Sequence, residues 1–333
     1  MPAHTRHPFP RPPLRVVAAM VACAWLSSAC ARWPVQEPPQ APAAVPPPAS
    51  SEQKTRPQPV IRSRTALGAN DAPVGAGLPV ADARATVPPA YPAALSETFR
   101  LLVWNVQKGA SDAWIGDFRT LSAGSDLVLL QEAKLHDEFS SGIAALPRWD
   151  MVQAWQWRRQ PTGVLTASDA LPLSVRALEH REPLLRTDKS ALVTEYRIAG
   201  SAHTLMVANI HAINFTVDTR AFRAQLASVA DLLDEHEGPV ILSGDLNTWR
   251  AERQAIVEEI AQALALQAVH FEGPRKQFRR YPLDHVYYRG LEPLEAAVTE
   301  VDSSDHNPLL VTFRIAGAAA AALLGSVSDA GGH

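Results

Sequence analysis

Phe99–Asn105 reads FRLLVWN, an apolar run of strand length that closes on a side-chain amide, and Asp126–Leu130, DLVLL, repeats the plan ahead of Gln131 and Glu132. Runs this short, bounded by polar groups, are read as buried strands that deliver their last residues to a sheet edge. Outward from them the same reading gives strands at Ala191–Arg197, Thr204–Ile210, Val240–Ser243, Asp284–Tyr288 and Leu309–Ile315. Apolar residues three and four apart predict helices over Thr219–His236 and Glu252–Leu264. Many strands with few helices between them imply an α/β fold in which helices cover the outer faces of packed sheets.

This patterned region starts near Phe99, and most of the 28 prolines come before it. Residues 31–97 are rich in Pro, Ala, Ser and Gln, a composition that buries too little apolar surface to offset its ordering entropy, so they are expected to be an unstructured spacer. Residues 317–333 are expected to be a low-complexity tail, leaving 98–316 as the folded domain. In residues 1–30, Arg6, Arg11 and Arg15 precede the apolar stretch Val16–Leu26 and the small residues leading to Cys30, the layout of an export signal. It is read first as a lipoprotein signal with Cys30 as the lipid-bearing residue. Cleavage after Ala31 and an uncleaved anchor stay open, and each places the domain outside the cytoplasm, in a bacterial cell envelope.

A net charge of −3 excludes the strongly basic balance of a sequence-independent nucleic-acid binder, though not a local basic patch. Cys23 and Cys30 are the only cysteines. The domain therefore has neither a disulfide nor a thiolate metal site, and its chemistry must use oxygen and nitrogen groups.

Six motifs supply such groups: WNVQKG (Trp104–Gly109), LLQEA (Leu129–Ala133), NIHAINF (Asn209–Phe215), SGDLNTW (Ser243–Trp249), PLDHVYY (Pro282–Tyr288) and SSDHNPL (Ser303–Leu309). Alone, each has a plain reading; GDLN, for example, is also an ordinary turn or helix cap. Together and in this order they resemble the endonuclease/exonuclease/phosphatase superfamily, the DNase I-like fold. VWN, LVLLQEA, REPLLRTDKSALVT, NIHAINF and SDHNPLLV are most similar to its bacterial YafD family.

The resemblance implies a four-layer α-β-β-α sandwich of two mixed sheets, and a metal-dependent phosphoesterase using Mg2+ or Mn2+. It makes Glu132 the principal metal ligand, with Asn105 beside it and Asp305 as a neighbouring carboxylate. It gives Asp245 the attacking water, Asn247 the phosphate, and His306, oriented by Asp284, the charge at the scissile group. His211 is expected to protonate the leaving oxygen, and Asn209, Lys189 and Arg186 to contact substrate. Hard cations favour this oxygen-rich set. His203, His236, His270 and His285 are left as core or surface residues.

The expected partner is a phosphoester, nucleic acid first, because QAWQWRRQ (Gln153–Gln160) and PRKQFRRY (Pro274–Tyr281) interleave aromatic and cationic side chains. The chain is expected to be a monomer held at a membrane by its N-terminus. An envelope phospholipid or sphingomyelinase-like phosphodiesterase and a catalytically silent tethered binding module are the alternatives.

Overall fold

The computed structural model describes residues 59–65, 73–75, 92–157, 159–185 and 187–316. The export signal, most of the spacer, the tail and Arg186 lie outside the described residues. The first half runs β1 (Val60–Thr65), β2 (Pro73–Gly75), β3 (Thr98–Asn105), α1 (Trp114–Ser122), β4 (Leu127–Lys134), α2 (Asp137–Gly142), β5 (Arg148–Trp157), β6 (Gln160–Ser168) and β7 (Pro172–Arg181). The second half runs β8 (Asp188–Arg197), β9 (Thr204–His211), α3 (Arg220–Asp234), β10 (Val240–Asp245), α4 (Ala251–Ala263), β11 (Gln267–Ala268), β12 (Gln277–Phe278), β13 (Tyr281–Pro282), β14 (Asp284–Arg289), β15 (Leu291–Val298) and β16 (Leu309–Ile315).

They form an eight-stranded sheet, ordered β15-β16-β3-β4-β6-β5-β1-β2, and a six-stranded sheet, ordered β11-β14-β10-β9-β8-β7, with β12 and β13 as a separate hairpin. Each sheet has one parallel pair near its middle, β3 with β4 and β10 with β9. The other pairings are antiparallel.

Strand alternation explains the layers. Leu101, Val103, Leu127 and Leu129 of the first sheet meet Leu205, Val207, Ile241 and Val286 of the second in one core. Their neighbours Leu102, Trp104, Val128 and Leu130 point the other way, onto Trp114, Phe118 and Phe139 of α1 and α2. In the second sheet Ala208, Ile210 and Leu242 turn to Phe222, Leu226, Ile256 and Val257 of α3 and α4. Strands covered on both faces need continuous apolar runs, as β3, β4 and β9 have. The result is the expected α-β-β-α sandwich, two mixed sheets flanked by helices.

The expected spacer is not featureless. Val60–Thr65 pairs antiparallel with β5 in continuous register from Val60 opposite Gln153 to Thr65 opposite Arg148. Ile61 is buried among Val152, Val164, Val175 and Leu192. The average composition of 31–97 conceals this short run, which gains an apolar pocket and a ladder partner only when β5 is in place.

Candidate active site

The alternation that builds the inter-sheet core also builds the site. Continuing Leu101 and Val103 by two residues reaches Asn105. Continuing Leu205 and Val207 reaches Asn209 and then His211; continuing Ile241 reaches Ser243 and Asp245; stepping back from Val286 reaches Asp284. The sheets thus present Asn105, His211, Asp245 and Asp284 on facing surfaces, where their ends outrun the hydrocarbon.

His306 arrives from the loop before β16. Ser304 Oγ donates to the Asn105 carbonyl (2.6 Å) and Trp104 Nε1 to the His306 carbonyl (2.9 Å), fastening that loop to the end of β3. Gly244 lets β10 approach β9. Its φ is 133°, and a Cβ there would lie 2.1 Å from the Ile210 carbonyl oxygen.

Glu132 comes from a bulge. The pairing of β4 with β6 shifts between Leu130 and Ala133, Gln131 keeps the buried inter-sheet place, and Glu132 is turned out with φ 54°. Gln107 (φ 45°), Lys108 (φ 67°) and Asn247 (φ 49°) share this left-handed region. Such conformations cost on the order of 1 kcal/mol or more for a residue with a Cβ. Four in the segments that carry the site mark backbone held for a purpose other than packing.

Asp245 is the hub of the bonding. Its Oδ2 accepts from Asn105 Nδ2 (3.0 Å) and lies 3.5 Å from His211 Nε2, and its Oδ1 accepts from the Asn247 amide (3.1 Å). His306 Nδ1 is 2.7 Å from Asp284 Oδ2, while Asp284 Oδ1 is buried without a partner. Glu132 pairs with the Lys108 ammonium and comes within 4.0 Å of His211 Nε2. Lys189 Nζ is 2.7 Å from His211 Nε2, and an ammonium has no lone pair to offer, so Lys189 donates and His211 accepts. Glu132, Trp155, Thr187, Lys189 and His211 line a pocket of about 280 Å3 measured out to open solvent.

Burial sets the direction at His211, Lys189 and Asp245, whereas at His306 the neighbouring charges outweigh it. At His306 burial opposes the imidazolium, but Asp284, by charge and hydrogen bond, with Asp245 and Asp305, outweighs it and pushes the pKa up to about 9. His211 is held well below the ordinary value of 6.5 by burial and by the cations Lys189, His306 and Lys108. Burial lowers the Lys189 pKa, against the carboxylates Glu132, Asp245 and Glu182. Burial raises that of Asp245, with Asp284 adding to it and His306 opposing. One histidine is thus a cation and the other neutral near pH 7.

Asn105, Glu132, Asp245, Asn247, Asp284, His306, His211 and Lys189 are brought together as expected. Asn209 is not. It is fully buried, donating to the Leu130 (3.3 Å) and Leu165 (2.9 Å) carbonyls and to Thr166 Oγ1 (3.3 Å), and accepting from Gln131 Nε2 (2.8 Å), so it ties the sheets together behind the cleft. Asp305 also stays outside, exposed and bonded to Lys276 (3.1 Å). Its neighbour His306 turns inward, where Trp104 holds its carbonyl and Asp284 its Nδ1. His211, expected as the acid, is the neutral acceptor of a lysine instead.

Three residues given no role by the sequence shape the site. Lys108 pairs with Glu132. Glu182, buried, accepts from the Asn214 and Phe215 amides, both at 2.7 Å, and from Thr187 Oγ1 (3.0 Å). Arg253, buried between the rings of Phe222 and Trp249, donates to the Ile213 (2.6 Å), Asn214 (2.8 Å) and Asn247 (3.1 Å) carbonyls. KG in WNVQKG was the one visible signal for Lys108. Arg253 sits in a helix that reads as ordinarily amphipathic. His285 belongs to the core, as expected: its Nε2 contacts Thr248 Oγ1 (2.6 Å) and the Pro282 carbonyl (3.1 Å), and burial, with Arg275 adding, lowers its pKa to about 4.

Among the described residues Asp245, Asp284 and His306 form the group of acids and imidazole close enough to hold a metal ion, with one ligand atom from each within 4.8 Å of the others. In this chain, however, His306 and Asp284 are already bonded to each other, and an ion among the three would have to compete with that bond. Glu132 also offers hard oxygen donors at the cleft, where an ion would take the place of the Lys108 ammonium now paired with them.

Facing carboxylates, amides and an acid-backed imidazole at the joined ends of two sheets define a phosphoester hydrolase of the DNase I-like class. The chain belongs to the endonuclease/exonuclease/phosphatase family, whose model matches residues 102–306. Solved structures share the fold. An endonuclease/exonuclease/phosphatase from Beutenbergia cavernae is 17% identical, with a TM-score of 0.53 over 66% of this chain and 72% of that one. The catalytic domain of human Nocturnin, with a bound sulfate anion, is 16% identical, with a TM-score of 0.52 over 67% and 96%. An endonuclease/exonuclease/phosphatase from Bacteroides vulgatus is 17% identical, with a TM-score of 0.51 over 66% and 99%.

Proposed function

We propose that the domain is a metal-dependent phosphodiesterase that cleaves DNA or RNA by attack of water on phosphorus. The observation that carries this reading is the buried meeting of Asp245 with the His306–Asp284 pair, next to Asn105 and Glu132. Within the family, the resemblance of the REPLLRTDKSALVT and NIHAINF segments supports a place in the YafD group.

Asp245 has the roles of orienting water and accepting its proton, since burial makes its carboxylate more basic than a surface aspartate. The bonds from Asn105 and the Asn247 amide fix its plane. His306, its Nδ1 held by Asp284, presents Nε2 as a charged donor to the phosphate oxygens. Lys189 is a second cation on the Glu132 side and takes over the proton-donor role first expected of His211. Glu132, with Asn105 beside it, would hold Mg2+ or Mn2+, which when bound neutralises charge developing on phosphate oxygen.

Nucleic acid as substrate is supported by the β12–β13 hairpin. Phe278 is half exposed, Arg279 and Arg280 lie against Phe278 and Tyr281, and Lys276 binds Asp305 next to His306. This pairs ring faces with cations, as single-strand binding requires. Incubating the chain with plasmid, single-stranded DNA and RNA in Mg2+ or Mn2+ tests it. Cleavage should need the metal and disappear in Glu132→Ala; no cleavage above that variant on any of the three would overturn the assignment. The Arg-led apolar signal ending near Cys30 supports export to the envelope, and labelling of the chain with radioactive fatty acid, lost in Cys30→Ala, would establish the lipid anchor.

A further inference from the structure

Six large hydrophobic side chains stand exposed among the described residues, and four belong to two neighbouring loops: Leu184 (58%), Leu185 (57%), Phe215 (50%) and Val217 (82%). The loop between β7 and β8 is closed by the Glu182 amide donating to the Thr187 carbonyl (2.8 Å). The Glu182 carboxylate also takes the backbone amides of Asn214 and Phe215 from the loop after β9. One buried acid therefore joins both loops at their bases, and each loop carries two exposed apolar side chains. Thr187, Asp188, Lys189 and His211, which follow directly on these loops or lead into them, line the pocket beside Glu132.

We propose that these two loops seat the domain on a phospholipid bilayer, with Leu184, Leu185, Phe215 and Val217 entering the headgroup region and the cleft opening beside it. This goes beyond the phosphodiesterase reading and does not depend on it. Three of the four side chains are aliphatic. They have no ring face on which a base could stack, so the patch is unsuited to the nucleic acid that suits the β12–β13 hairpin. A contiguous apolar patch exposed on a folded domain marks a contact surface. A narrow patch on two braced loops suits shallow insertion between lipids, where apolar tips enter and cations stay at the phosphates.

Arg181 and Arg220, both exposed, flank the tips; each pairs locally, with Asp188 at 3.7 Å and with Asp218 at 2.7 Å. The chain preceding the domain is long enough to permit this seating. The residues between Cys30 and Val60, at roughly 3.5 Å each when extended, span on the order of 100 Å. A domain tethered through its N-terminus could therefore turn these loops to the membrane.

Flotation of the full chain carrying Cys30→Ala, with vesicles of phosphatidylethanolamine and phosphatidylglycerol at three to one, tests the proposal without acylation at Cys30, the segment Val16–Leu26 being common to parent and variants. Leu184→Glu/Leu185→Glu and Phe215→Glu/Val217→Glu should each lower the vesicle-bound fraction by about tenfold, as expected when apolar tips are replaced by acids. Phe278→Glu should leave it unchanged. All of these substitutions are at exposed positions, so melting temperature should hold and serves as the folding control. Rim variants that float like the parent chain would show that the N-terminal segment alone binds lipid, which overturns the proposal. So would rim variants that lose single-stranded oligonucleotide binding while keeping vesicle binding.

Discussion

Behind the cleft, Asn105, Asp245, Asn247, Asp284 and His306 are all buried, and each is bonded to another of the set or to backbone. At its margin, Leu184, Leu185, Phe215, Val217 and Phe278 are at least half exposed, and their own loops are their main support. The floor is fixed several times over: by strand register, by the hydrogen bonds of Asn105, by Ser304 and Trp104 holding the His306 loop, and by Arg253 holding the carbonyl of Asn247. The rim is held at its bases, by Glu182, by Arg253 on the Asn214 carbonyl and by the β12–β13 ladder, while its apolar tips stand exposed. Chemistry needs groups held to a fraction of an ångström, whereas recognition tolerates looser supports. A floor substitution should therefore change turnover, and a rim substitution should change what is bound.

The largest effect is expected at the floor. Asp245→Asn or His306→Gln should each reduce kcat by about a thousandfold or more, the scale of a lost base or charged donor. Steady-state kinetics with a melting curve alongside checks that the fold survives. An intact kcat in either variant would break the distinction at its centre.

The second effect concerns pH. The pKa of His306 in the fold, about 9, lies above the ordinary 6.5, so its imidazolium contributes stability that is fully present below about 6.5 and is lost as pH rises through about 9. Turnover should decline over the same alkaline range, about tenfold per pH unit beyond it. His306→Gln should remove that limb from the pH profile, and a limb that persists would assign it elsewhere.

The third tests the backbone under the floor. Gly244→Ala would push a Cβ against the Ile210 carbonyl at a φ that disfavours any side chain. It should cost about 2–3 kcal/mol in urea unfolding. An unchanged midpoint would mean that β10 and β9 can move apart freely. The smallest effect belongs to the rim: Phe278→Ala should raise KM for single-stranded oligonucleotide by up to about tenfold with kcat retained. A fall in kcat instead would join the hairpin to the floor.

Legibility followed how much of each feature is local. β3, β4, β9 and β10 are apolar runs because both of their faces are covered, and α3 and α4 fall within a residue or two of the periodicity that predicts them. β6, QPTGVLTAS, interrupts its run with Pro and Gly, and Gly163 is required because a Cβ there would meet the Val152 carbonyl oxygen at 1.8 Å. β15, LEPLEAAV, is an edge strand with most side chains in solvent and has neither alternation nor apolar run to read. β1 hides inside a proline-rich average.

What the sequence determined by itself was the class of chemistry: six short motifs supply carboxylates, amides and imidazoles and no thiolates, and strand periodicity puts them at strand ends. Tertiary structure alone decided which of those groups share a space and in what charge state. Asp305 and His306 are neighbours in the chain, yet one faces solvent and the other Asp284. His211 and His306 are the same residue type, yet burial, with a lysine adding to it, keeps the first neutral, while a carboxylate behind the second outweighs burial and makes it a cation. Residue types and local pattern are written along the chain, whereas burial and through-space charge exist only once two sheets far apart in sequence have been packed face to face.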